Sequence, residues 1–250
     1  MADIVLIDAD ITAYQVCTQM ETEWDWGDDV WTLHSDFSHV QLAFDAAIHA
    51  ISEATEADIA VLAFTSPNNF RTSILPTYKG NRSGTRKPMH LARLRDWAKT
   101  NFDVRMIDGL EGDDVLGILA SADSSTFIYS ADKDMKTLPA RLWSNSERFV
   151  YTNVEDVADW WFMQQTLTGD TTDNYKGCPG VGPKKAQDIL GEAGLAPIEV
   201  LWSRVVAAYE KAGLTEDDAL VQARCARILR NTDYDTEKQE VILWTPPKLK

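Results

Sequence analysis

The strongest constraint on this chain is a set of short apolar runs spaced by segments of helix length. "DIVLID" (3–8), "DIAVLAF" (58–64), "DVRMI" (103–107) and "TFIYS" (126–130) are apolar on both faces and rich in β-branched residues, as buried parallel strands are. Helical patterns over about 38–54, 88–100 and 111–121 lie between them. Strands alternating with helices predict an α/β fold with a mostly parallel central sheet. Ligands of such sheets sit beyond the carboxyl ends of the strands, and Asp8 and Asp132 both fall there. Past residue 153 the pattern turns helical, in "EDVADWWFMQQTLTG" (155–169), "AAYEKAG" (207–213) and "EDDALVQARCARILRN" (216–231), before a last strand-like run, "EVILW" (240–244). The acidic, Trp-rich "ETEWDWGDDVW" (21–31) reads as a surface loop or a helix held by aromatic packing.

No apolar run approaches the roughly 18 to 20 residues of a membrane span, and "MADIVLID" lacks the basic and long apolar regions of a signal peptide. Cys17, Cys178 and Cys225 are far apart, and the four histidines are scattered. No zinc-like spacing results, and a reduced, cytoplasmic, non-membrane protein is expected. A net charge of −15 argues against nucleic acid as a partner when taken alone. It is unevenly placed, however. Residues 71–105 carry nine basic side chains against Asp96 and Asp103, a net +7 that leaves −22 on the remainder.

Acids gather at the edges of predicted elements: Asp8 with Asp10; Glu111, Asp113 and Asp114 in "EGDD"; Asp132 and Asp134 in "SADKD"; Asp170 and Asp173 in "GDTTD". Each group alone also suits a plainer role, as helix N-terminal charge, a turn or a cap. Together, without histidine or cysteine, they suit hard divalent cations such as Mg²⁺. Two such ions about 3.5 to 4 Å apart can activate water and stabilise the leaving oxygen of a phosphate ester. "DADIT" and "GDTTD" also fit a phosphatase that uses Asp8 as nucleophile and Asp10 as acid/base.

Two stretches separate these readings. In "FRTSILPTYKGNRSGTRKP" (70–88), Lys79 and Arg82 are three apart and would share a helix face, with Tyr78 adjoining. Cations beside an aromatic ring suit a scissile phosphate and a nearby base. In "GCPGVGPKKAQDIL" (177–190), Gly177, Gly180 and Gly182 allow tight turns before Lys184 and Lys185 open a helix. Free N–H groups and lysines there make an anion site, suited to DNA phosphates rather than bases. The phosphatase reading leaves "YKGNR", "EGDD" and this turn without a role.

The ordered set "LIDAD", "YKGNR", "EGDD", "SADKD" and "GDTTDN…GCPGVGPKKA" resembles the flap endonuclease/5′→3′ exonuclease superfamily, most closely its short-tailed bacteriophage branch. The resemblance covers nearly the whole chain. It implies a PIN-like nuclease core over 1–153 with a basic arch or gateway around 71–105. A helical region over 154–235 would contain a helix–three-turn–helix at about 170–191, and 236–250 would form a C-terminal strand and tail. It implies Asp8, Glu111, Asp113, Asp114, Asp132, Asp134, Asp170 and Asp173 as metal-site acids for two Mg²⁺ ions, with Mn²⁺ able to substitute. It implies Lys79 and Arg82 as the catalytic basic pair and Tyr78 as a ring that stacks on substrate. It implies DNA binding by Arg71, Arg86 and Lys87 and by Gly177, Gly180, Gly182, Lys184 and Lys185, with K⁺ held at the turn. The expected partner is DNA with 5′ ends, flaps, nicks or gaps, with RNA in hybrids and replication proteins as further partners of a monomer. If the chain is phage-encoded, the compartment is the host cytoplasm. One departure stands out: relatives usually carry an aspartate a few residues before "FR", where "AFTSPNNFR" offers Ser66. A missing carboxylate there could leave a DNA-structure binder with impaired catalysis, or Asp10 nearby could compensate.

Overall fold

Three of the chain's apolar runs alternate so that neighbouring residues face opposite sides, and this builds a sheet with a core on each face. The computed structural model describes residues 3–82 and 84–247; residues 1, 2 and 83, and the end of the tail at 248–250, lie outside the described residues. The chain begins with β1 (Ile4–Asp8) and α1 (Ala9–Gln19), the hairpin β2 (Thr22–Asp25) and β3 (Trp31–His34), α2 (Phe37–Thr55), β4 (Ile59–Ala63) and the short α3 (Arg71–Ile74). It continues through α4 (Leu91–Asn101), β5 (Val104–Arg105), α5 (Gly112–Ala122), β6 (Thr126–Tyr129), β7 (Arg141–Ser144) and β8 (Phe149–Thr152). The helical part comprises α6 (Glu155–Thr168), α7 (Pro183–Leu190), α8 (Ile198–Lys211) and α9 (Glu216–Ala226), followed by the pair β9 (Tyr234–Asp235) and β10 (Glu240–Val241).

The central sheet runs β5-β4-β1-β6-β7-β8, parallel except where β8 returns beside β7. On one face Leu6, Val61 and Ile128 pack with Val115 and Leu116 of α5. On the other, Val5, Ile7, Leu62 and Phe127 pack with Phe44 of α2 and Leu94 of α4. This inversion between residues 5, 6 and 7 is the two-residue period of a strand covered on both sides. A separate core, with Phe162, Leu167, Tyr175, Leu201, Tyr209 and Trp244, holds the helical part.

The structure departs from the sequence reading in instructive places. Residues 21–31 are neither loop nor helix but most of a hairpin, with Thr22 opposite His34 and Asp25 opposite Trp31. Gly27, Asp28 and Asp29 all take positive φ at its turn. The run 240–244 pairs only through Glu240 and Val241, while Trp244 packs edge-on against Phe162 and Trp202. It therefore belongs to the helical core, not to the central sheet. Helix α9 stops at Ala226, because Arg227 and Arg230 turn in to the Asp233 carboxylate and the Asp159 carboxylate. Helix α1 follows β1 without a loop: Asp8 ends the strand and accepts the Ile11 N–H as the helix N-cap.

The loop from α6 to α7 is pinned by two glycines. Gly169 and Gly177 both have φ +66, and a Cβ on Gly177 would lie 2.3 Å from the Gly169 backbone nitrogen. The Cys178 N–H donates to the Leu167 carbonyl at 2.8 Å, and Asp170 and Tyr175 exchange backbone hydrogen bonds of 2.8 and 3.1 Å. No side chain fits between these two backbones. Gly177→Ala is expected to lower stability by at least about 3 kcal/mol, whereas Gly180→Ala, at φ +70 with open space around it, costs about 1 to 2 kcal/mol. Urea denaturation of the two variants measures the difference.

Candidate active site

The carboxyl ends of β1 and β6 and the N-terminus of α5 open into a cleft of about 580 Å³, closed on the far side by the loop 168–173. It is lined by Asp8, Asp10, Glu111, Asp113, Asp132, Asp134, Asp170 and Asp173, with Lys79, Arg82 and Lys133 among them. Acids separated by up to 165 positions thus share one cavity. Asp8 and Asp132 arrive at strand ends, as α/β topology dictates. Glu111 is the N-cap of α5, and Asp113 lies in its first turn.

The two sides of the cleft differ electrostatically. On the sheet side, Asp8 accepts from Ser130 Oγ at 2.8 Å, and the Asp132 carboxylate accepts the Asp134 N–H at 2.8 Å. Burial pushes Asp8 up to about 6 against its hydrogen bonds from Ser130 and the Ile11 N–H, with Asp10 and Asp132 adding to the rise. Burial followed by the charges of Asp8 and Asp132 holds Asp113 well above the usual carboxylate range. Asp134 is likewise pushed up to about 6 by burial and by Asp132. On the gateway side the acids are paired. Lys79 Nζ meets Glu111 Oε1 and lies 3.4 Å from Asp173, and Arg82 Nη2 is 2.6 Å from Asp173. Burial would raise Glu111, but Arg71 and Lys79 outweigh it and keep its carboxyl low. Lys79 rises, because Glu111 and Asp173 overcome the opposing effect of its burial.

Lys79 and Arg82 do not sit on a regular helix. Lys79 has φ +53 and is followed by a single 3₁₀ turn, Gly80–Arg82. They converge instead because the Lys79 N–H donates to the Asp173 carbonyl at 2.8 Å and Asn81 reaches the Thr171 carbonyl.

Three assignments made from sequence need correction. Asp114 does not face the cleft: it is fully buried, with Arg71 Nη1 and Nη2 each 2.7 Å from its oxygens and the Leu229 N–H at 3.1 Å. Arg71 is correspondingly not a surface residue. It is 2 % exposed and also donates to Glu111 and to the Cys225 and Arg227 carbonyls. Tyr78 is buried too, stacked on Tyr175 at 6.3 Å between centroids, so its ring does not lie open for stacking on substrate. Its hydroxyl lies 2.9 Å from Glu111 and 2.8 Å from Asp173, and burial keeps the phenol protonated.

The remaining predicted residues lie on the surface around the cleft. Arg86 is exposed and forms a two-pronged pair with Glu21, and Lys87 is exposed beside it. Gly180, Gly182, Lys184 and Lys185 are exposed at the start of α7, where Lys185 donates to the Gly180 carbonyl at 3.1 Å; Gly177 is buried against Gly169. Ser66 does not face the cleft. Its hydroxyl donates to Asp108 at 3.0 Å. Asp10, left out of the predicted acid set, does line the cleft, and its carboxylate accepts the Thr65 N–H at 2.7 Å. The signal for it was present in its spacing from Asp8, two residues on in the same strand-to-helix turn.

Among the described residues, no three His, Cys, Asp or Glu side chains are drawn close enough to cage a metal unaided. The donor set is nonetheless all oxygen and strongly anionic, which fits hard divalent ions that keep part of their water. Asp8 accepts the Ile11 N–H on one oxygen and the Ser130 hydroxyl on the other.

A family model described as "5′-3′ exonuclease, N-terminal resolvase-like domain" matches residues 3–161. The chain is 31% identical to an exodeoxyribonuclease of Enterobacteria phage T3 and 30% identical to an exonuclease of Escherichia phage T7, in each case over 97% of this chain and 93% of the relative. Among solved structures, bacteriophage T5 5′-exonuclease with bound zinc superposes with a TM-score of 0.58 at 18% identity, covering 90% of this chain and 93% of that one. A T5 flap endonuclease complex with DNA and metal ions gives 0.58 and 18%, over 89% and 90%. At that identity the structural likeness establishes the fold, a resolvase-like, PIN-type sheet flanked by helices.

Two outcomes are expected from this geometry. Arg71→Ala leaves Asp114 buried without its partner and should cost about 3 to 5 kcal/mol in denaturant unfolding. Asp134 keeps its proton to higher pH in the folded chain than in the unfolded one, so the folded state binds more protons between about 4 and 6. Its contribution to stability is complete below that window and is lost as pH rises through it. In chelator, Asp134→Asn should therefore gain melting temperature relative to the parent from pH 4 to pH 7. If the two melting curves keep a constant offset, the Asp134 environment is misassigned.

Proposed function

The chain belongs to the 5′-3′ exonuclease family, and from that membership we propose a metal-dependent, structure-specific nuclease that hydrolyses DNA phosphodiesters near 5′ ends. It is a hydrolase of the exonuclease and flap endonuclease group. The observation that carries the finer reading is the meeting, in one cleft, of unpaired acids from the sheet with Lys79 and Arg82 from the gateway. The solved T5 relatives, crystallised with metal ions and in one case with DNA, support it.

Asp8, Asp113, Asp132 and Asp134 on one wall, with Glu111, Asp170 and Asp173 on the other, would hold two Mg²⁺ ions, with Mn²⁺ as a substitute. When bound, such ions supply the charge that activates water and stabilises the leaving oxygen. Lys79 and Arg82 bind the scissile phosphate and neutralise charge that grows on its oxygens. Tyr78 positions rather than stacks: its hydroxyl spans Glu111 and Asp173 and keeps the gateway wall in register. Asp10 anchors the turn after β4 through the Thr65 N–H, so the cleft keeps an acid near the point where Ser66 has turned away. Products carry 5′-phosphate and 3′-hydroxyl.

Duplex backbone is held by Lys184, Lys185 and the open N–H groups of α7, with K⁺ at the turn, and Arg86 and Lys87 meet the strand at the gateway. With the acidic body repelling DNA elsewhere, binding should weaken steeply with salt. The role is phage DNA replication, primer removal or recombination, by a monomer that also accepts RNA in hybrids and works beside replication proteins in the host cytoplasm. Three free, buried cysteines suit a reducing compartment, and no described helix is long and apolar enough to cross a membrane.

The test is product sizing from 5′-labelled blunt, nicked and flapped duplexes in Mg²⁺. Short 5′ products are expected, and Lys79→Ala should lower kcat by about 100- to 1000-fold. An Asp132→Asn, Asp134→Asn double variant that digests as fast as the parent overturns the site. Tight flap binding without cleavage by the parent supports the catalytically impaired binder instead.

A further inference from the structure

Beside the acidic cleft lies a second recess of about 330 Å³, which shares Lys133, Asp134, Asp170 and Pro183 with it and continues onto α6. We infer that this recess is a nucleobase pocket, in which Trp161 stacks the base of a nucleotide next to the phosphate being cut. The inference rests on the nuclease reading above.

Trp161 is half-buried on α6 and set edge-on against Trp160, with centroids 5.2 Å apart. Trp160 is itself fixed by its Nε1–H, which donates to the Gly191 carbonyl at 2.8 Å. The Trp161 ring is thus a braced platform. Lys136 Nζ lies 4.8 Å from its centroid, on an exposed and flexible side chain. A base entering the recess replaces the ammonium on the ring and leaves it to meet the backbone phosphate. Lys133 belongs to both cavities and supplies positive charge where the strand would pass from one to the other. The recess carries Lys133 and Lys136 against Asp134 and Asp170, so the two lysines mark where a polyanion can lie.

A polar observation points the same way. Gln165 lines the recess, and its Oε1 is buried without a hydrogen-bond partner. Its amide lies beside the Asp134 carboxyl. A buried acceptor lacking a donor is rare in folded proteins. The ring N–H and amino groups of nucleobases supply such donors. Because every base presents a π-face, stacking here tolerates any sequence while registering whether a base is present.

The experiment places a single abasic residue, in turn, at each of the three nucleotides on either side of the cut. Cleavage is followed in Mg²⁺ with the full-length parent, Trp161→Leu and Trp161→Phe. At one position the parent should lose about tenfold in kcat/KM, the size of one lost base stack. Trp161→Leu should cut that abasic substrate and the intact one at equal kcat/KM, and Trp161→Phe should keep most of the penalty. If Trp161→Leu does not fold, the parent scan and a Lys136→Gln variant, which should raise KM for intact DNA, carry the decision. A parent that cuts every abasic substrate equally well, or a Trp161→Leu enzyme with an undiminished positional penalty, overturns the inference. A parent that cuts nothing overturns the nuclease reading itself, and the two failures are thus distinct.

Discussion

The interaction on which the rest of this structure depends is the buried pair of Arg71 and Asp114. Both side chains are out of water, and their two parallel hydrogen bonds use the planar fork of the guanidinium. Such a pair adds little stability beyond what well-packed apolar residues would give, since desolvation offsets the attraction. What it fixes is position. Arg71 begins the segment that leads to the gateway, Asp114 lies in the first turn of α5, and the remaining donors reach the carbonyls of Cys225 and Arg227 at the end of α9. Asp114 completes the knot by accepting the Leu229 N–H. From there a line of contacts runs outward, from Arg71 to Glu111, to Lys79 and Tyr78, and on to Asp173 in the loop before α7.

That line explains why the cleft has two characters. Along it every acid has a cation, and Arg71 and Lys79 keep the Glu111 carboxyl low against the upward push of burial. Across the cleft, Asp8, Asp113 and Asp132 have mainly one another, and their repulsion adds to burial in raising Asp8 and Asp113. A fold that only needed stability would not keep such a cluster. On the proposed reading, the imbalance is the physical form of a demand for external positive charge, placed opposite an arm that already carries its own.

Much of this was legible in the sequence, because strand ends and helix starts are where acids gather in an α/β sheet. The parallel strands, α5, α6 and the cluster of acids all follow from apolar period and position. Which of the adjacent Asp113 and Asp114 faces the cleft does not. On a helix these neighbours point about 100° apart, and only the presence of Arg71 behind α5 decides that Asp114 faces inward. Arg71 was hidden for the same reason: inside a strip of nine basic residues, a local count cannot tell the one that is neutralised from 40 residues away. Tyr78 read as an exposed ring because its neighbours are cations, yet its partners Glu111 and Asp173 come from other elements. The hairpin at 22–34 escaped notice because its alternation is of aromatic and acidic residues, with little of the apolar face that marks a core strand.

The contact between Gly169 and Gly177 has a consequence for how such a molecule would measure its substrate. Asp170 and Asp173 lie on one side of that contact and the turn into α7 on the other, with bare backbone pressed against bare backbone between them. Nothing compressible intervenes, and no rotamer change can lengthen or shorten the span. On the proposed reading, hydrolysis and grip become two points on a single gauge block. The number of base pairs between them would then be a constant of the fold, indifferent to what the bases spell.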